Sequence, residues 1–390
     1  MKIVLSVDTI FPPLTGIGRY ALQLAQGLPL LPDVEAIRYI STGRWVFDLQ
    51  SMANECASSA EIRLGTTARL RRYLAARTTA VKVYTLVMPP LMKWRMRHLG
   101  DYLYHSPNYF VPPFSGRSIA TVHDLSNYRY PELHPAARRL YFDSEFPKTL
   151  QRVTHLITDS EAVRKEVAEF FSWPLERVTA IPLGVEKRFR PMDATETHSV
   201  LTPLGLKHDG YGLCVSTLEP RKRIDQLIYA YERLPPRCRT NYPLVIVGSR
   251  GWLSAALHDR ISAARRQGWL HYLGYVAEQD LPCIFAGARG FFYPSLYEGF
   301  GLPVLEAMSA GVPVLTSDIS SLPEVAGSAG LLVNPENLDA LAEGVFRVLD
   351  DEQWRAFAKP QGLRRASNYT WERCIRQTAD LYRRILTESA

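Results

Sequence analysis

Short apolar runs alternate with helix-length amphipathic stretches along this chain, and the alternation stops once and then starts again. In the first half Lys2–Val7, Val34–Ile40, Tyr102–His105, Ser118–Val122, His155–Thr158 and Val178–Ile181 read as strands. Helical spacing appears at Tyr20, Leu22, Leu24, Leu28 and Leu31, and over Pro135–Arg152 and Ser160–Phe171. Strands alternating with helices predict a parallel, doubly wound sheet. Residues 186–209, with Pro191, Pro203 and several charges, break the pattern and read as a linker. Strand-like runs then resume at Gly212–Ser216, Leu244–Val247, Leu270–Leu273, Gly290–Tyr293, Pro313–Thr316 and Leu331–Val333. Between and after them lie helical stretches at Ile224–Leu234 and Leu253–Gln267, and near 337–349, 351–367 and 371–388.

Two Rossmann-like domains follow from this, 1–185 and 210–370, with the last helix, 371–390, expected to pack back on the first. A length of 390 residues suits two domains of ordinary size. In open α/β sheets ligands sit beyond the carboxyl ends of the strands. Two such edges facing a cleft suit a reaction with two substrates.

Composition excludes several classes. At 46% hydrophobic and 22% charged residues the chain is an ordinary globular one, neither disordered nor of low complexity. No run approaches 18 apolar residues, and Met1–Asp8 is too polar for a signal peptide, so a cytoplasmic chain is expected. The five cysteines, at 56, 214, 238, 283 and 374, form no CxxC pair and read as reduced thiols, with no zinc site. The net charge of +7 is concentrated. Between Arg63 and Gly100 stand nine Lys/Arg (Arg63, Arg69, Arg71, Arg72, Arg77, Lys82, Lys93, Arg95, Arg97) and no Asp or Glu. The cations alternate with Leu70, Tyr73, Leu86, Val87, Trp94 and other large apolar groups, with Pro89-Pro90 interrupting the segment. Charge accompanied by apolar bulk favours an anionic membrane surface over nucleic acid.

The strongest motif is Tyr293-Pro-Ser-Leu-Tyr-Glu298-Gly-Phe-Gly-Leu-Pro-Val-Leu-Glu306, followed by Gly311. A strand ends at Tyr293, a Gly-rich loop follows, and Pro303 stands where a helix would begin. Free N–H groups at that start, with the helix dipole, make an anion site. Glu298 lies before the helix and Glu306 about two turns along, so one polyhydroxylated ligand could meet both carboxylates. The second motif is Val215-Ser-Thr-Leu-Glu219-Pro-Arg221-Lys222-Arg223, again strand to polar loop to helix. Guanidinium and ammonium groups suit a diphosphate, including one whose charge grows as it leaves.

Together these two motifs resemble the family-4 glycosyltransferases, retaining enzymes of GT-B fold. The similarity runs from Val215 to about Pro335. It reaches the first half more thinly, through Pro13-Leu-Thr-Gly16-Ile-Gly18-Arg-Tyr, His105-Ser-Pro107, Thr121-Val-His123-Asp124-Leu and Thr158-Asp-Ser160. The resemblance implies that Glu298, His123 and Lys222 serve catalysis. It implies that Arg221, Lys222, Gly16, Gly301 and Leu302 bind the donor diphosphate. His123, Glu298, Gly299, Phe300 and Gly301 would hold the donor sugar, Glu306 the ribose, and Tyr275 and Val276 the base. Many members carry Arg five or six positions before the Lys. This chain has Thr217 and Ser216 there, so Arg221 would supply that charge, as in mannosyltransferase-like branches. Those branches often have Asn after the Lys, where this chain has Arg223. With no Asp-x-Asp pair, no metal and no other cofactor is expected.

The expected activity is retaining, metal-independent transfer of a mannose-type hexose, mannose or rhamnose, from a nucleotide-sugar, GDP-linked. The acceptor would be a lipid-linked or oligosaccharide glycan in lipopolysaccharide O-antigen or exopolysaccharide biosynthesis. The chain would be peripheral to the cytoplasmic membrane through residues 63–100 and would bind no nucleic acid. The alternatives are a UDP-sugar-using glycosyltransferase of the same fold, a nucleotide-sugar epimerase and a non-catalytic nucleotide-sugar-binding partner.

Overall fold

Seven strands form the first sheet in the order β3-β2-β1-β4-β5-β6-β7. They are β1 (Lys2–Ser6), β2 (Ala36–Ser41), β3 (Arg44–Val46), β4 (Leu103–Ser106), β5 (Ser118–Val122), β6 (His155–Thr158) and β7 (Val178–Ala180). The computed structural model describes residues 1–12, 14–52, 78–249, 251 and 255–388. They divide into two units, Met1–Leu183 with Trp371–Ala390, and Gly184–Thr370.

Every residue of β4, β5 and β6 is buried. That is the pattern of parallel strands covered by helices on both faces. All neighbours pair in parallel except β2 and β3. The short antiparallel β3 was not anticipated. It follows a two-residue hairpin, Thr42-Gly43, in which both residues have positive φ, 48° and 73°. Two-residue hairpins of this hand require that conformation, which costs little at Gly43 and strains Thr42. Asp8 Oδ1 holds the Thr42 N–H at 2.5 Å.

The Trp371–Thr387 helix closes the first unit with an apolar face of Cys374, Ile375, Leu381, Tyr382 and Ile385. The Tyr382 hydroxyl lies 2.5 Å from His105 Nδ1. The Pro89-Pro90 pair, expected to interrupt its segment, lies inside a continuous helix, Thr78–Arg95. The helix loses two N–H donors there. Its buried Met92, with Met96 just beyond its end, anchors it in the first unit's core, and it packs on the Ala136–Arg152 helix.

The second sheet is all parallel, in the order β10-β9-β8-β11-β12-β13. Its strands are β8 (Gly212–Val215), β9 (Leu244–Val247), β10 (Leu270–Gly274), β11 (Gly290–Tyr293), β12 (Val314–Ser317) and β13 (Leu331–Val333). The stretch expected as a linker, 186–209, belongs to this unit and contains a helix, Ala194–Leu201. Asp193 caps that helix and Glu196 closes a capping box, so the local Asp-x-x-Glu signal outweighs the neighbouring prolines.

Strand order reverses between β1 and β4 in the first sheet and between β8 and β11 in the second. At such switch points the connections leave in opposite directions and open a crevice beyond the strand ends. The loops carrying both chemical motifs leave β8 and β11, the two strands that flank the second crevice.

Candidate active site

Glu219-Pro220-Arg221-Lys222 ends in a tight turn, with Arg223 in the left-handed region at φ 51°. The turn carries Lys222 inward until only 8% of it is exposed. The loop after β11 brings Glu298, equally buried, to meet it. The Lys222 ammonium donates to Glu298 Oε1 and, at 2.8 Å, to the Tyr293 hydroxyl. Arg221 Nη1 donates to Glu298 Oε2 at 3.2 Å, and Arg221 Nη2 to Glu219 Oε1 at 2.8 Å. Two cations and two carboxylates thus neutralise one another in a largely buried site, as buried charges must.

Burial pushes the Glu298 carboxyl up. The Lys222 ammonium and the Arg221 guanidinium pull it down by more, so its pKa lies below the usual carboxylate range. Tyr293 moves the other way, pushed well up by burial and then by the Glu298 charge.

Four serine and tyrosine side chains hold this arrangement. Ser295 Oγ donates to Glu298 Oε1 at 2.6 Å, and Tyr293 receives Lys222. From the loop after β12, Ser320 Oγ accepts the Glu298 N–H at 2.9 Å, and Ser321 Oγ donates to the carbonyls of Glu298 and Phe300 at 2.9 and 3.0 Å. Sequence reasoning missed all four. Tyr293 and Ser295 stood within the quoted motif. Ser320 and Ser321 lie more than twenty residues beyond Glu298, with no signal linking them to it.

Gly301 adopts φ 107°, and a Cβ there would come within 2.7 Å of Leu322 Cδ2. Only glycine meets both conditions cheaply. The helix then runs from Leu302 to Ser309 with no side-chain cap at its start, and Gly311 beyond its end is left-handed. Glu306 is buried on this helix, so it is not a solvated surface carboxylate. Tyr275 and Val276 follow β10, half-buried at the sheet edge. One strand separates β10 from β8, which puts the two strands about 10 Å apart.

In the first unit, Gly16 is exposed at the first position of the Gly16–Gly27 helix, which Thr15 caps by accepting from the Gly18 N–H at 3.3 Å. His123 stands at the carboxyl end of β5 with both ring nitrogens engaged. Nδ1 lies 2.7 Å from Asp159 Oδ2 and Nε2 2.8 Å from the Pro107 carbonyl. Burial lowers its pKa, and the Asp159 carboxylate raises it by more, leaving it above the ordinary value. An imidazolium donating to both partners fits these contacts. To touch a ligand, Nε2 would have to leave the Pro107 carbonyl.

Of the basic segment, Arg63, Arg69, Arg71, Arg72 and Arg77 lie outside the described residues. Lys82, Lys93 and Arg95 lie on the Thr78–Arg95 helix, and Arg97 just beyond it. Val83, Leu86, Val87 and Trp94 stand exposed among them, Leu86 at 76%. Among the described residues no helix is long and apolar enough to cross a membrane. Nor does any group of three or more His, Cys, Asp or Glu among them form a metal-holding cluster.

The switch point of the second sheet joins paired cations, a buried carboxylate and an uncapped helix start, and this is the candidate site. Comparison with known proteins gives the family. Residues 205–365 match the model for glycosyl transferases group 1. The chain is 37% identical to O-antigen chain mannosyltransferase B of Escherichia coli, over 98% of this chain and all of that protein. It is 30% identical to the E. coli serotype-specific mannosyltransferase WbdA, over 70% of this chain and 34% of that longer protein. Among solved structures, HepE from Anabaena in complex with UDP-glucose superposes with a TM-score of 0.72. That match covers 98% of this chain and all of HepE, at 18% identity, and shows the shared GT-B fold. The chain belongs to the group 1 glycosyl transferases, as the resemblance read from its motifs implied.

Proposed function

We propose that the protein transfers a mannose-type hexose from a GDP-linked donor to a hydroxyl of a growing O-antigen polysaccharide, with retention of configuration and without a metal ion. The observation that carries the reading is the 37% identity over nearly the whole chain to an O-antigen chain mannosyltransferase.

The geometry suggests how the donor enters. A diphosphate replaces Glu298 as the counter-ion of Lys222 and Arg221, and the released carboxylate accepts hydrogen bonds from the sugar hydroxyls. The N–H groups around Gly299–Leu302 take sugar and phosphate oxygens, Glu306 the ribose, and Tyr275-Val276 the base. As the glycosidic bond breaks, its electron pair passes to the phosphate oxygen, where Lys222 and Arg221 neutralise the growing charge. The departing oxygen takes the proton from the acceptor hydroxyl on the same face, which retains the configuration. Two side-chain cations here do the work a divalent ion would do.

A donor screen tests this. GDP-mannose should bind and be slowly hydrolysed without acceptor. With acceptor it should yield an α-linked product, and excess chelator should leave the rate unchanged. Turnover of UDP-sugars alone would overturn the donor assignment. An isomerised donor with no free nucleoside diphosphate would indicate an epimerase, and binding without turnover a non-catalytic partner. Loss of activity in chelator, restored by Mg²⁺ or Mn²⁺, would overturn metal independence.

We further propose that the Thr78–Arg95 helix rests on an anionic membrane surface, where a lipid-linked acceptor would be held. The support is its cations, its exposed apolar side chains and the absence of acids from Arg63 to Gly100. Binding to phosphatidylglycerol vesicles should weaken as salt shortens the screening length to about 8 Å near 0.15 M. Reversing Lys82, Lys93, Arg95 and Arg97 to Glu should abolish it. Co-sedimentation that ignores both salt and these reversals would count against the idea.

A further inference from the structure

The 186–191 stretch, part of what the sequence presents as a linker, touches both elements that the proposed complex gives to the nucleoside. Those elements are the Tyr275-Val276 loop after β10, for the base, and the Leu302–Ser309 helix bearing Glu306, for the ribose. Phe189 anchors the stretch. It is fully buried and meets Phe285 of the Leu281–Ala286 helix edge to face, with centroids 5.4 Å apart. Its carbonyl accepts from Ser309 Oγ at 2.7 Å. Gly311, just past the same helix, faces Pro191 so closely that a Cβ there would come within 3.3 Å of the proline Cγ. The backbone on either side of Arg188 is therefore fixed against the ribose helix.

Arg188 itself reaches the base loop. Nη1 donates to the Glu278 carbonyl, and Nη2 donates to Glu278 Oε2 and to Glu186 Oε1, each at 3.0 Å. The bond to the carbonyl matters more than the ion pair. It fixes the backbone of the loop, whereas a partly exposed ion pair contributes little by itself. The other end of the loop is held too. Gly274 turns the chain at φ 69°, and its carbonyl accepts the Gly248 N–H at 2.7 Å. The Tyr272 hydroxyl donates to the Gly248 carbonyl at 3.0 Å. Between these two fastenings lie Tyr275, Val276 and Ala277, all half-buried.

Nucleobases differ in the order of donors and acceptors along their edges. A short loop matches one such order only if its own backbone is held still. The wrong base then leaves polar groups of the site unpaired, which is the source of strong discrimination. A slack loop would shift and accept either base. We propose that Arg188 is a positioning residue for nucleotide selection. It fastens the 275–278 loop to the 186–191 stretch and, through Phe189 and Ser309, to the helix bearing Glu306. The spacing between base and ribose contacts is thereby set, although Arg188 touches no part of the donor. The assignment deepens the glycosyl transferase reading and rests on it.

The probes are GDP, UDP and inorganic pyrophosphate, each titrated into the full chain by calorimetry. Arg188→Met keeps the apolar stem and removes every donor. It should weaken the preferred nucleotide by about tenfold, as expected for losing hydrogen bonds from a charged group. The other nucleotide should weaken by less, so the ratio of the two Kd values narrows. Pyrophosphate, which has no base, should bind within about twofold of wild type. In turnover the donor KM should rise while kcat at saturating donor holds, the mark of lost uniform binding. Glu278→Gln removes the ion pair but not the bond to the carbonyl, and should leave the ratio within about twofold. Arg188→Lys keeps the charge without the forked donors. It should narrow the ratio by a smaller factor, and it carries the test if the methionine variant does not fold. An unchanged ratio in the folded variants would overturn the assignment. Equal weakening of both nucleotides and pyrophosphate would overturn it too, because it marks a merely structural residue. A wild type that binds neither nucleotide would instead overturn the transferase reading, and this assignment with it.

Discussion

Glu298→Gln should fold and bind donor but lose turnover by about 10²-fold, or about 2.7 kcal/mol, the scale of one well-placed electrostatic group. In the proposed complex this carboxylate meets the sugar where positive charge develops as the bond breaks. It therefore matters more in the transition state than in the ground state, and kcat should fall more than KM rises. Glutamine keeps the shape and the bond from Ser295, so folding is preserved and thermal melts can confirm it. Near-wild-type kcat at saturating donor would remove Glu298 from this role. The same variant has a pH signature. The folded pKa of Glu298 is lowered, so its ion pairs contribute stability that is fully present above the unfolded value of about 4.3. That stability is lost as pH falls through the folded value. On acidification the melting temperature of the wild type should therefore fall more steeply than that of Glu298→Gln.

Lys222→Ala should be the more damaging change, because it injures both binding and chemistry. The ammonium holds the diphosphate in the ground state and then meets its growing charge, so KM should rise and kcat should fall. Without donor, its loss leaves Glu298 buried with only Arg221 as counter-charge. Breaking one partner of a buried pair costs about 3–5 kcal/mol, so a lower melting temperature is expected as well. Donor should restore part of that stability by mass action. Because Lys222 and Glu298 touch, Lys222→Ala with Glu298→Gln should lose less than the two single losses combined. Steady-state kinetics and melts on the two single variants and the double variant check this. Strict additivity would mean that the two residues act independently and would contradict the shared site.

Much of this protein is legible without coordinates. The alternation of buried strands with amphipathic helices depends on local periodicity, and β5, β6, β9, β11 and β13 begin and end where their apolar runs do. The site loops are legible for a related reason. Gly301 must take a backbone conformation other residues avoid, Pro303 must stand in the first helical turn, and Arg221 and Lys222 must sit beside a strand end. Each demand restricts which residue can stand at its position.

Other features were decided only in three dimensions. Pro89-Pro90 reads as a break, yet the helix continues through it because Met92 and Met96 are buried in a core whose other members are distant in sequence. The 186–209 stretch reads as a linker by composition, but its capping box holds a helix within the second unit. Nothing at Glu298 signals that Ser320 and Ser321 brace its backbone, or that Lys222 and Arg221 share its carboxylate. Those contacts exist because strand order reverses between β8 and β11, which no local pattern records. A cavity lined by Tyr84 and Glu145 likewise collects residues from the ends of β1 and β4 and from two helices around the other reversal. Sequence determined the elements and the chemistry of each loop, because those depend on neighbours along the chain. The order of the strands determined which loops meet, because that depends on how distant apolar faces are buried together.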